Sequence, residues 1–206
     1  MDNRFLSQEA RILSPYTPGE QPKENNFIKL NTNESPFPPS PKVLDILSRE
    51  EVGKLNLYPD PTCRDLTEAA AEYYDLKPEN IIPGNGSDEI LAFAFRAFAG
   101  QGKPVAYADI TYGFYQAQSA LFGLDAKIIE LKQDYSLDIN NYMDFPGMIV
   151  IANPNAPTGM AIEVDQIEKL VKYDLNRVVL IDEAYVDFGA ESCVKLVKKY
   201  ENLLVV

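Results

Sequence analysis

Residues 148–182 read MIVIANPNAPTGMAIEVDQIEKLVKYDLNRVVLID. An apolar run at Met148–Ala152 leads into a loop rich in proline and asparagine. A stretch with apolar residues at helical spacing comes next at Val164–Tyr173, and then a second apolar run at 178–181 that ends on Asp182. Strand, crossover helix, strand is the unit from which parallel sheets are built. The alternation extends both ways. Further short apolar runs lie at Ile81-Ile82, Val105–Ala108, 128–131 and 203–206, with helical candidates at 87–99 and 111–122 and a weaker one at 193–200. The pattern predicts an α/β fold, a three-layer sandwich whose mainly parallel sheet is covered on both faces. In such sheets ligands bind outside the carboxyl ends of the strands, so the residues just after each run are the candidates for function.

The chain before residue 40 is different in kind. Seven of the fifteen prolines fall between Pro15 and Pro41. Proline lacks an N–H and disfavours helix at the residue before it, so 1–40 is expected to be an extended N-terminal arm, with 41–206 the sheet domain. Ser40-Pro41 reads as the cap and first residue of a short helix bearing Val43, Leu44 and Leu47. Asp60-Pro61 opens a second, with Leu66, Ala69, Ala70 and Tyr73 at helical spacing.

Composition narrows the function. A net charge of −12 argues against nucleic-acid or anionic-membrane partners, which need a basic face. There is no histidine, and Cys63 and Cys193 stand in unrelated contexts, which excludes an ordinary zinc site and a disulfide framework. The N-terminal residues lack the apolar run of a signal peptide, and the apolar stretch at 91–99 is broken by Arg96. The expectation is a cytoplasmic protein with no metal.

Four strand ends carry chemistry. After Ile81-Ile82, Pro83-Gly84-Asn85-Gly86-Ser87-Asp88-Glu89 runs into a helix. It reads either as an anion-binding helix start or as a glycine turn capped by Ser87 or Asn85. After Val105–Ala108, Tyr112 is placed to stack on a flat ligand or simply to pack in the core, with Tyr115 on another side of the helix. After Met148–Ala152, Asn153-Pro154-Asn155-Ala156-Pro157-Thr158-Gly159 is a tight loop that offers asparagine donors, or only a turn. Asp182-Glu183-Ala184-Tyr185 ends an apolar run with a carboxylate that needs a partner. Either a protonated pyridine nitrogen fills that need, or Asp182 caps the next segment of chain while Glu183 is solvated.

Together with Asn31-Thr32-Asn33-Glu34-Ser35-Pro36, Tyr58-Pro59-Asp60 and Ser14-Pro15-Tyr16, these motifs occur in the order of a known family. The chain resembles the N-terminal part of histidinol-phosphate aminotransferases, fold-type I enzymes that use pyridoxal 5'-phosphate. The resemblance implies an incomplete cofactor-binding large domain at 41–206. It implies that Gly86, Ser87 and Asp88 surround the cofactor phosphate and that Tyr112 stacks on the ring. Asp182 would pair with the ring nitrogen and Tyr185 with the ring oxygen. Tyr58 would reach the phosphate of a neighbouring subunit in a homodimer, and Tyr16 and Asn33 would line the substrate side. The family's ring-oxygen asparagine immediately precedes Pro-Thr-Gly. Here that position is Ala156, so the role is carried to Asn155. The family's Schiff-base lysine follows a serine on a later strand, and no lysine of this chain follows a serine. The chain is therefore expected to be a truncated part of the enzyme, inactive alone.

For the whole enzyme, the resemblance implies transamination between a phosphorylated amine, histidinol phosphate, and a 2-oxo acid, 2-oxoglutarate, in histidine biosynthesis. The alternatives are a sister enzyme, either a threonine-phosphate decarboxylase or an aromatic aminotransferase, or a non-catalytic fragment.

Overall fold

The computed structural model describes residues 11, 13, 28, 30–47, 52–100 and 102–206. The chain divides into two compact units, Ser14–Arg64 and one that contains Asp65–Val206.

The larger unit is built on five strands: β1 (Val105–Ala108), β2 (Ala126–Ile129), β3 (Met148–Ala152), β4 (Val179–Asp182) and β5 (Leu203–Val205). All four pairings are parallel, in the order β2-β1-β3-β4-β5. The strand residues alternate between two cores, as a period of two requires. Val105, Tyr107, Met148, Val150, Ala152 and Leu180 pack with Leu91, Ala94 and Phe95 of a helix at Ser87–Phe98, and with Tyr115 of a helix at Gly113–Leu121. Ala106, Ile149, Ile151, Val179 and Ile181 pack on the other face with Ile167, Leu170 and Val171 of a helix at Val164–Tyr173. Helices on both faces of a parallel sheet make three layers, as the alternation of runs predicts.

Several boundaries differ from the sequence expectation. Ile81-Ile82 belongs to no strand; Ile82 is exposed and Pro83 has no N–H to donate to a ladder. The second run pairs as 126–129 rather than 128–131, with Ala126 opposite Val105. The stretch 193–200 forms a 3-10 helix, Val194–Lys198. A short helix at Pro41–Ile46 starts at Ser40 as expected and buries none of its residues. Asp60 does not start the next helix directly. Its carboxylate accepts from the Thr62 N–H and hydroxyl and the Arg64 N–H, forming a turn, and the helix runs Arg64–Tyr74. That helix buries Thr67 and Ala71, while Leu66 and Tyr73 are exposed.

The α-helices whose bounds are described are, in chain order, α1 (Pro41–Ile46), α2 (Arg64–Tyr74), α3 (Ser87–Phe98), α4 (Gly113–Leu121) and α5 (Val164–Tyr173). Among the described residues, no helix is long and apolar enough to cross a membrane.

Candidate active site

Asp182 is the last residue of β4, and its position follows from strand parity. Leu180 and Asp182 point to the same face, the one covered by α3 and α4. Beyond the carboxyl ends of β3 and β4 a cleft opens, lined by Ser87, Tyr112, Ala152, Pro154, Ala156, Asp182, Ala184 and Tyr185. Four residues nominated by sequence thus line one space: Ser87, Tyr112, Asp182 and Tyr185.

Asp182 is 4% exposed. Its Oδ1 accepts the Ala184 N–H at 3.1 Å and its Oδ2 accepts the Tyr115 hydroxyl at 2.6 Å. The carboxylate therefore caps the turn after β4 and also faces the cleft. Burial pushes its carboxyl above the usual carboxylate range, and these two donors oppose that shift. Tyr115 has no role assigned from sequence. It is fully buried, and its phenol is pushed far up, first by burial and then by the Asp182 charge.

Tyr112 stands before α4 and donates its hydroxyl to Asp88 Oδ1 at 2.9 Å. Burial, then this bond, pushes its phenol up. Its ring meets the Tyr115 ring edge-on, with centroids 5.8 Å apart. Asp88 thus connects to the cleft through the ring it steadies. Gly86 caps α3 with φ +79°, a left-handed conformation that side chains disfavour, and the space above its Cα is open. The first-turn N–H groups of α3 have no intrahelical acceptors and favour an anion there. The neighbouring Asn85 N–H is taken by Glu89 Oε2 at 2.8 Å.

The loop after β3 is built differently from the sequence expectation. Asn155 Nδ2 donates to the Ile110 carbonyl at 2.8 Å and to Thr158 Oγ1 at 3.0 Å, and its Oδ1 accepts the Thr111 hydroxyl. Both amide hydrogens are spent inside the protein. Ala156, not Asn155, lines the cleft; Asn155 lines an adjacent hollow with Thr111 and Asn153. Buried Asn153 closes the loop by two bonds to Ile162, and its bond to Pro154 is cis. Glu183 is buried rather than solvated, accepting the Ser192 hydroxyl at 2.6 Å and the Cys193 N–H at 2.7 Å.

Gly86, Asp88 and Asn155, also nominated, are not among the residues lining the cleft. Tyr58 and Asn33 belong to the unit Ser14–Arg64, where Tyr58 is fully exposed and Asn33 is exposed with φ 52°. Tyr16 lies outside the described residues. Among the described residues, no group of three or more His, Cys, Asp or Glu is placed to hold a metal ion.

A family model for aminotransferase class I and II matches residues 25–206. The chain belongs to this family. It is 53% identical over 203 residues to a histidinol-phosphate aminotransferase of Brachyspira hyodysenteriae, covering 98% of this chain and 57% of that protein. A Clostridium acetobutylicum histidinol-phosphate aminotransferase is 48% identical over 204 residues, covering 99% and 58%. The chain thus spans a little over half the length of these relatives. Among solved structures, a histidinol-phosphate aminotransferase from Sinorhizobium meliloti in complex with pyridoxal-5'-phosphate is 26% identical with a TM-score of 0.69, covering 76% of this chain and 44% of that one. A structure from Erwinia carotovora atroseptica reaches a TM-score of 0.78 at 24% identity, over 85% and 54%, and shares the fold. In this chain of the aminotransferase class I and II family, sequence gave no partner for Tyr115, read Glu183 as solvated, and offered Asn153 as a donor to a ligand rather than to Ile162. Their partners are set by folding, and only the doublet Asp182-Glu183 hinted at a second buried carboxylate.

Proposed function

We propose that these residues form most of the cofactor-binding half of a pyridoxal-phosphate aminotransferase that exchanges the amino group of histidinol phosphate with 2-oxoglutarate. The observation that carries this is Asp182, a buried carboxylate facing a cleft that no described lysine or arginine lines. Such a group calls for a cationic ligand atom, and a protonated pyridine nitrogen supplies one.

The cleft suits the cofactor in three further respects. Tyr112 offers a ring face, Tyr185 brings a phenol, and Gly86 and Ser87 open α3 where a phosphate is favoured. When bound, pyridoxal phosphate supplies a protonated ring that draws electrons from the substrate's α-carbon. Asp182 would hold the proton on the ring nitrogen, Tyr185 would donate to the ring oxygen, and Tyr112 would offer the ring a stacking face. Pro154 and Ala156 form an apolar wall that limits water. We assign Asn155 to clamping this loop, because its donors are already used. On the same reading Tyr16 and Asn33 line the substrate side. Tyr58 serves the site of a second copy in a homodimer, which its full exposure permits.

Two experiments test this. The full-length enzyme, given histidinol phosphate, threonine phosphate and aromatic amino acids with 2-oxoglutarate, should turn over histidinol phosphate at least about tenfold more efficiently than the others. A preference of that size corresponds to roughly 1.4 kcal/mol, and preferential decarboxylation of threonine phosphate overturns the substrate assignment. Borohydride reduction of the 206-residue chain with pyridoxal phosphate should label no single lysine, since no described lysine lines the cleft. Stoichiometric labelling of one lysine overturns the site.

A further inference from the structure

We propose that Tyr115 is a positioning residue that keeps Asp182 ionised and aimed into the cleft, through the hydroxyl it donates to Asp182 Oδ2 at 2.6 Å. The inference deepens the counter-ion role given to Asp182 above and rests on it.

The environment of Asp182 otherwise works against its charge. The carboxylate ends an apolar strand and is almost wholly removed from water. Titratable groups face it from each packed element: Asp88 at the start of α3, Tyr112 just before α4, Tyr115 on α4, and Tyr185 after β4. None of these is a cation, and the Asp88 charge further disfavours ionisation. Two hydrogen bonds favour the charged form, one from the Ala184 backbone and one from Tyr115. The Tyr115 bond is the shorter and the one that sequence can change. Its geometry is fixed by rings on three sides: Phe95, Tyr107 and Tyr112, with centroids 6.2, 5.9 and 5.8 Å away. A ring so enclosed keeps its hydroxyl beside Asp182. It also leaves the remaining lone pairs of Asp182 for a ligand in the cleft, since a carboxylate accepts up to about four bonds.

The alternative is that Tyr115 only fills the core. Tyr115→Phe separates the two, because it keeps the ring and removes the donor. In the ligand-free chain, aspartate carboxyl carbons labelled with 13C can be titrated by NMR, with Asp182 assigned by its absence in Asp182→Asn. The expected result is a rise of about one to two pH units in the Asp182 midpoint, the size of a lost bond to a charged group. Pyridoxal phosphate affinity, measured by equilibrium dialysis across pH, should then reach its plateau at correspondingly higher pH. Asp182 must lose its proton to hold the ring cation, and in the variant it does so later. An unchanged NMR midpoint in folded Tyr115→Phe overturns the proposal. A raised midpoint with an unmoved binding profile upholds the Tyr115 effect and overturns the pairing of Asp182 with the cofactor. Should Tyr115→Phe fail to fold, 3-fluorotyrosine at 115 donates more strongly and should lower the midpoint; no shift overturns the proposal.

Discussion

Asn155 and Thr111, residues of two different strand-end loops, are joined side chain to side chain: the Thr111 hydroxyl donates to Asn155 Oδ1 at 2.9 Å. With the Asn155 amide also bonded to the Ile110 carbonyl, the loop after β3 is tied to the segment that presents Tyr112. Asn155→Ala removes these bonds and leaves a carbonyl and two hydroxyls to find other partners. The expected loss is about 1–3 kcal/mol in urea denaturation, with faster proteolysis of 153–162. Unchanged stability and proteolysis would show that the clamp is not needed to hold the two loops together.

Ala156 lines the cleft together with Tyr185. Ala156→Asn should add a donor beside Tyr185 and tighten pyridoxal phosphate binding by about 0.5–1.5 kcal/mol. Equilibrium dialysis measures this directly. Weaker binding would mean that the small side chain is needed for fit and that no ligand oxygen lies near.

Asp182 should cost the fold stability at neutral pH. Its carboxyl is raised in the folded state by burial, so the unfolded chain releases the proton first as pH rises. In that window the folded form binds more protons, and stability falls with increasing pH until both forms are ionised. Asp182→Asn removes the titration. Its stability relative to the parent should therefore increase as pH is raised from below the ordinary carboxylate range to neutrality, measured by urea melts at several pH values. A pH-independent difference would place the folded-state carboxyl in the ordinary range.

Arg177 is buried just before β4, and its guanidinium donates to the carbonyls of Tyr142, Met143, Phe145 and Leu170. It joins the end of α5 to the segment before β3, at the amino ends of the strands rather than the carboxyl ends where the cleft opens. Arg177→Met strands several acceptors at once and should destabilise by about 3 kcal/mol or more. Arg177→Lys should recover only part, since an ammonium cannot fan out to four carbonyls. Equal stability of all three proteins in urea would contradict this account.

How much of the fold and the cleft is readable from the chain depends on how local each signal is. β1 and β3 match their apolar runs because Pro104 and Asn153 bound them sharply. The run at Ile81-Ile82 fails because two residues before a proline cannot hold a ladder. At the cleft, Ser87, Tyr112, Asp182 and Tyr185 are visible because each comes directly after an apolar run or its turn. Tyr115 is not, since its partner is 67 residues away and its helical phase is equally that of a core ring. Asn155 and Ala156 are adjacent, and which one faces the cleft depends on bonds to Ile110 and Thr111 that composition does not reveal.

Asp88 carries a negative charge next to a helix start suited to an anion, which makes direct phosphate binding by its side chain unfavourable. Its carboxylate instead accepts the Tyr112 hydroxyl at 2.9 Å, and this orients the ring that walls the cleft. Asp88→Ala should release that ring while the first-turn N–H groups of α3 remain. Two measurements then move together. The Tyr112 phenol, which burial and Asp88 push up, should titrate lower in the variant, seen as an earlier alkaline rise in tyrosinate absorbance that Tyr112→Phe abolishes. Pyridoxal phosphate affinity should fall by about two- to tenfold, as expected for loss of an oriented aromatic contact of roughly 0.5–1.5 kcal/mol. Asp88→Asn keeps an acceptor without the charge and should restore most of the affinity. If Asp88 contacted the phosphate through its carboxylate, removing the charge would strengthen binding in both variants and leave the Tyr112 titration where it was.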